Sequence, residues 1–145
     1  MFRGKYDFLS NMYPSPMVIG GIKYLCVEAA FQSMKLITKE DRKQFEGIHG
    51  AYAKLLGRKV TLRSDWNKIR INVMRYVVRE KFKQNPLLKK RLLETGDMEL
   101  VEENNWNDKF WGVCNGVGEN WLGKILMEVR DEISHSEKTV QKENS

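Results

Sequence analysis

Cysteine and histidine are scarce in this chain, and neither occurs in a metal-binding or redox pattern. Cys26 and Cys114 lie far apart with no CxxC and no companion histidine. That argues against both a disulfide framework and a zinc site, and leaves two small buried thiols in a reducing compartment. His49 and His135 have no partner in any recognisable triad, so serine-triad chemistry gains no support. No apolar run approaches the roughly 18 residues that a membrane span needs, and the opening "MFRGKYDF" lacks the apolar core of a secretory leader. The expected setting is the cytoplasm, with no metal, no cofactor and no membrane partner. Proline is limited to three residues, and there is no internal repeat and no Pro/Gly/Ser-rich linker. A chain of 145 residues then reads as one domain large enough to bury its own core.

Charge is present in excess, and it is uneven. The net charge is +6, and residues 64–94 carry nine Lys or Arg against Asp65, Glu80 and Glu94, which accounts for the whole excess. Such a stripe attracts anionic ligands, nucleic acid or phosphorylated metabolites, unless it is simply a solvated helix face.

The order of elements follows from periodicity and punctuation. "YDFLSNMYPSP", residues 6–16, has too many prolines and aromatics for a regular element, and should fold back over a core with Ser10 and Asn11 at its bend. "MVIGGIKYL" predicts a hairpin turning at Gly20 and Gly21. Val27, Ala30, Phe31, Met34 and Ile37 recur at helical spacing, and "AYAKLLG" predicts another helix stopped by Gly57. Ser64 should cap a long helix to about Asn85, with Trp66, Ile69, Val73, Tyr76, Val77 and Phe82 on its apolar face. Pro86 opens the next helix and Gly96 closes it. "MELVEEN" and "KFWGVC" predict two short strands joined by a turn at "NNWND". Asn120 should cap a last amphipathic helix ending at 133, leaving 134–145 as a disordered tail. The fold class expected is a helix-dominated α+β single domain, residues 1–133, with a small β-sheet.

Candidate chemistry is thin on spacing alone. Glu28, Gln32 and Lys35 share one helix face, a pattern that by itself is more often a solvated stripe than a site. "NNWNDKFWG" groups Trp106, Asp108 and Trp111, either for a flat ring or for the core. "NGVGENWLG" fails the GxGxxG dinucleotide pattern because position 121 is Trp, although N–H groups opening the last helix offer a phosphate site.

Taken in order, "YDFLSNMYPSP", "GIKYLCVEAAFQSMK", "AKLLGRKVTLRSDWNKIRINVM", "KFKQNPLLKKRLLETGD", "LVEENNWNDKFWG" and "NWLGKILMEVR" resemble the NADAR domain, or YbiA-like, family across residues 2–131. Met12 departs from the aromatic more usual in the family's first block. The resemblance implies a YbiA-like fold and an N-glycosidase that cleaves the bond between ribose C1 and nitrogen. Its partner would be a phosphorylated ribosyl intermediate of riboflavin synthesis, or ADP-ribosylated guanine, free or in nucleic acid. It implies Glu28 as general acid/base and Lys35 as nucleophile or phosphate ligand. Asp108 would hold ribose hydroxyls or water. Phe8, Ser10, Asn11 and Gln32 would frame the sugar, Trp66 or Trp111 would stack on the base, and Arg58 and Arg63 would clamp phosphate. A non-catalytic reader of ADP-ribose or nucleic acid is the alternative.

Overall fold

The computed structural model describes residues 2–144. Its elements are the strands β1 (Met17–Ile19), β2 (Ile22–Tyr24), β3 (Glu103–Asn104) and β4 (Val113–Cys114), and the helices α1 (Val27–Ser33), α2 (Lys39–Arg42), α3 (Gly50–Gly57), α4 (Trp66–Gln84), α5 (Pro86–Glu94) and α6 (Trp121–Glu143). This is the expected helix-dominated α+β class, but the small sheet is two separate two-stranded ladders.

The opening segment is more regular than its composition suggests: Gly4–Leu9 form a 3₁₀ helix, and the chain then turns through Ser10 to Tyr13. The hairpin is as expected, β1 pairing antiparallel with β2 around Gly20 and Gly21, both at positive φ (60° and 80°) as a primed turn demands. The second ladder differs from the hairpin reading. β3 and β4 run parallel, so "NNWND" is part of an excursion between them rather than a tight turn.

Several boundaries move for identifiable reasons. α1 ends at Ser33 instead of Ile37: the chain tightens into i→i−3 bonds (Lys35 N to Gln32 O, Leu36 N to Ser33 O), and the Lys35 and Leu36 carbonyls of this turn accept from Arg63 N and Arg42 Nε elsewhere in the chain. Ser64 does not cap α4; Asp65 occupies the cap position, and its carboxylate holds Arg63. Tyr76, assigned to the apolar face of α4, is exposed. Asn120 occupies the cap position of α6, as expected, but in the left-handed region (φ 54°) and with no side-chain hydrogen bond to the first turn. Its amide instead ties down the preceding segment, Oδ1 accepting from Glu102 N and Nδ2 donating to Leu100 O, both at 2.9 Å. α6 runs on to Glu143 where the sequence pattern predicts a tail from 134. Its extension is rich in good helix formers, and Lys89 of α5 pairs with Glu137 at 2.9 Å. Residue 145 lies outside the described residues.

Packing explains much of the basic stripe. Arg75 and Arg79 of α4 pair with Glu128 and Glu132 of α6, each at 2.8 Å, so these cations form a seam between two helices. Lys81 is buried outright, and its ammonium donates to Phe8 O (2.6 Å) and Ser10 O (3.1 Å). It thereby fastens the opening loop to α4. Burial lowers its pKa to about 7, well below the ordinary lysine value, with the neighbouring Cys26 acting weakly in the opposite sense. A neutral amine still has two N–H donors for the two carbonyls.

The sign of the stability effect follows. Between about pH 7 and the ordinary lysine pKa the unfolded chain binds the proton and the folded chain does not, so stability rises with pH across that window. Urea unfolding at pH 6 and pH 10 is expected to show wild type gaining on Lys81→Met by a few kcal/mol, at about 1.4 kcal/mol per pH unit. Parallel curves for the two proteins would mean that Lys81 is charged in the fold throughout.

Candidate active site

The opening loop, α1, α3, α4 and the 102–111 excursion enclose a cavity of about 460 Å³. Each wall is held by backbone chemistry. Asn11 O accepts from Glu28 N at 3.0 Å, so the bend of the loop satisfies an orphan donor in the first turn of α1 and hangs over Glu28. Ser10 Oγ accepts from Met12 N at 3.1 Å, and Asn11 Nδ2 points to Met74 Sδ of α4 at 3.7 Å. The excursion is built around Asn104, whose side chain accepts from Asp108 N and donates to Asp108 O.

Eight of the candidate residues line this cavity together: Ser10, Asn11, Glu28, Gln32, Lys35, Trp66, Asp108 and Trp111. Glu28 is 8% exposed, and Gln32 Nε2 donates to its Oε1 at 2.9 Å. Burial pushes the Glu28 carboxyl pKa up, against the Gln32 hydrogen bond and the charges of Lys54 and Lys35, with Asp108 adding a smaller upward push. Glu28 is thus a carboxyl group biased toward its protonated form.

Lys35 lies in the turn after α1 rather than on the helix, yet its ammonium still reaches the cavity and donates to Gly57 O at 3.2 Å. Burial lowers its pKa, Glu28 raises it and Arg58 lowers it further. Gly57, expected as a helix stop, has a different task. A Cβ there would overlap Gln32 Oε1, so only glycine lets α3 come close enough for its carbonyl to meet Lys35 while Gln32 holds Glu28.

Asp108 Oδ1 accepts from Phe110 N (3.1 Å) and Trp111 N (2.9 Å), which fixes the carboxylate at the cavity wall. Trp66 and Trp111 both pack on Phe31, with centroids 5.1 and 5.3 Å apart, and so form an aromatic floor. The half-exposed ring is Trp106 at the rim, with the Lys54 ammonium 5.7 Å from its centroid.

Three candidates lie outside the cavity lining. Phe8 is a core residue with the Arg91 guanidinium stacked 4.2 Å over its ring, and contributes its carbonyl to Lys81 instead of framing a sugar. Arg63 is bound in a fork to Asp65, at 2.6 and 3.2 Å, and Arg58 is exposed just past α3. The phosphate site considered at the start of α6 is filled by protein: Trp121 N and Leu122 N donate to Phe110 O and Trp111 O.

The cavity also holds Lys54, Arg70 and Met74, which the sequence reading does not single out as site residues. A signal for two of them is present. Trp66, Arg70 and Met74 are spaced i, i+4, i+8 along α4, so a tryptophan assigned to the site carries the other two with it.

The NADAR domain family model matches residues 1–134. The chain is 38% identical to an N-glycosidase of Nostoc punctiforme over 88% of this chain and 86% of that one. It is 40% identical to a riboflavin biosynthesis protein of Vibrio vulnificus over 88% of this chain, spanning only 36% of that longer protein. The solution structure of the Escherichia coli protein YbiA superposes with a TM-score of 0.83 at 30% identity, covering 94% of this chain and 83% of that one. Among the described residues no helix is long and apolar enough to cross a membrane.

Proposed function

The chain belongs to the NADAR domain family and is an N-glycosidase, and from that premise we propose that it hydrolyses the C1–nitrogen bond of phosphorylated ribosyl compounds. The observation that carries the proposal is a buried carboxyl group, Glu28, facing the same cavity as a partly desolvated amine, Lys35.

Breaking a C–N glycosidic bond requires a proton for the departing nitrogen and an electron pair for C1. Glu28, whose carboxyl burial biases toward the protonated form, donates the proton. In the direct route water forms the new C1–O bond and gives its proton to the Glu28 carboxylate, so the acid is restored. In the covalent route Glu28 first protonates the ring oxygen as the sugar opens to an imine. The Lys35 amine then adds at C1, the base departs as its amine, and water releases the sugar from the resulting Schiff base. Asp108 fits as an acceptor for ribose hydroxyls or for that water. The aromatic floor and Trp106 offer faces for the base.

Free phosphorylated intermediates of riboflavin synthesis and ADP-ribosylated guanine both satisfy this chemistry. The former is favoured because Arg75, Arg79 and Lys89, which an extended polyanion would have used, are engaged by carboxylates of α6. The same pairing weakens the reading as a nucleic-acid module, and a pure phosphate reader gains nothing from a buried carboxyl group at Glu28.

Incubation with a phosphorylated ribosylamine of the riboflavin route, and separately with ADP-ribosylated guanosine and an ADP-ribosylated oligonucleotide, is expected to release the base from the first fastest, as followed by mass spectrometry. Release from the oligonucleotide alone would move the assignment to nucleic acid. No release from any of them would defeat the proposal.

A further inference from the structure

Arg70 stands apart from the other arginines of α4 and α5. Arg75, Arg79 and Arg91 each have an acceptor, in Glu128 with Asn72, Glu132 and Lys5 O respectively. Arg70 is half-buried and lines the cavity, its guanidinium stacks 3.7 Å over the Phe110 ring, and its Nε is shut off from solvent with no hydrogen-bond partner among the described residues. A guanidinium is never deprotonated in a protein, and a buried donor without an acceptor costs free energy. The stacking on Phe110 fixes the plane of the fork without satisfying any of its N–H groups.

Arg58 and Arg63, the sequence candidates for phosphate, do not line the cavity, and Arg63 is already bound to a carboxylate. Among the described residues the cavity wall therefore contains one fixed guanidinium fork with no acceptor of its own, on the same α4 stripe as Trp66 and Met74.

We propose that Arg70 is the phosphate-binding residue of the active site, its two terminal nitrogens receiving two oxygens of one phosphate group carried by the substrate, while the buried Nε and the Phe110 ring hold the guanidinium in place. The inference rests on the N-glycosidase reading for the identity of the ligand, and on the geometry of Arg70 alone for the presence of an anion site. Fixing the phosphate at α4 orients the ribose across the cavity toward Glu28 and Lys35 on the α1 side. A ribosyl compound lacking the phosphate then loses both affinity and register.

Calorimetric titration with ribose, ribose 5-phosphate and ADP-ribose tests this without turnover. Wild type is expected to bind one or both phosphate-bearing ligands roughly 10- to 100-fold more tightly than ribose, the scale of a charge-assisted fork. In Arg70→Met that preference should collapse, while Lys90→Ala on the exposed side of α5 should keep it. A gain for ribose 5-phosphate alone assigns a terminal phosphate, and one for ADP-ribose alone assigns a diphosphate; each upholds the site. Equal preference in wild type and Arg70→Met would overturn it.

If Arg70→Met does not fold, the ¹⁵Nε–H resonance of Arg70 in wild type gives the answer. It should shift on adding ribose 5-phosphate or ADP-ribose and not on adding ribose. A resonance indifferent to both, as expected if Arg70 turns to pair with Asp108, rejects the proposal. Loss of hydrolysis with phosphate binding intact would instead overturn the activity reading and leave the anion site standing.

Discussion

Glu28→Gln is expected to reduce turnover by roughly 100-fold or more, the scale of losing a positioned general acid, while leaving the protein folded. The amide is isosteric, and its oxygen can still accept from Gln32 Nε2, so the contact between α1 and the Gly57 backbone should survive. Removing a carboxyl that burial disfavours in its charged form should not lower stability, and a thermal melt beside the assay checks this.

The pH dependence has a definite sign. Burial raises the Glu28 pKa, so the proton needed by the leaving nitrogen is retained to higher pH than on a surface carboxylate, and is lost as pH rises through the raised value. Wild-type kcat should therefore fall on the alkaline side, and that limb should be missing in the residual activity of Glu28→Gln. A Gln variant with near wild-type turnover would remove Glu28 from the chemistry, whatever its burial.

How far the site was legible in the sequence depends on which force placed each residue. Glu28, Gln32 and Lys35 follow α1 and the turn beyond it, where helical spacing reports side-chain direction, so sequence alone puts them on one stripe, whereas Phe31, read as part of the opposite apolar face, lines the same cavity. Ser10, Asn11 and Asp108 sit on loops whose shapes are set by contacts distant in the chain: Lys81 on the Phe8 and Ser10 carbonyls, Asn104 on the Asp108 backbone, Asn120 on Leu100 and Glu102. No local pattern encodes those, and only the family resemblance could put them at a pocket. The arginines are not sorted by sequence, because a charge count along the chain treats all cations alike. It cannot tell Arg63, already committed to Asp65, from Arg70, which is stacked on Phe110 with its Nε unpartnered among the described residues. Gly57 shows the same limit. A glycine near a helix end suggests a stop, but the structure uses its missing side chain to admit Gln32. Strand pairing in the 103–114 region was legible only as β-propensity; its parallel sense depends on the 105–112 excursion, which brings the chain back to run beside β3 in the same direction.

The covalent route makes the largest single demand on the site, and it stands or falls on Lys35. Its pKa is lowered chiefly by burial, with Arg58 assisting and Glu28 opposing, so the neutral amine is more accessible than on a surface lysine. Its contact with Gly57 O at 3.2 Å uses one N–H and leaves the lone pair of the neutral form for C1. Borohydride added during turnover should then leave the sugar on Lys35 as a secondary amine, seen as a mass increase on the peptide containing that residue. Lys35→Arg, which keeps the charge but has no nucleophilic lone pair, should lose roughly 100-fold or more in kcat and give no adduct. The acid limb adds an independent check: a nucleophilic amine makes the rate rise as pH climbs through the lowered Lys35 pKa, whereas an ammonium that only binds phosphate makes it fall there. An active Lys35→Arg enzyme with no trapped adduct in wild type would leave hydrolysis to water and Glu28, and would make Lys35 a binding residue.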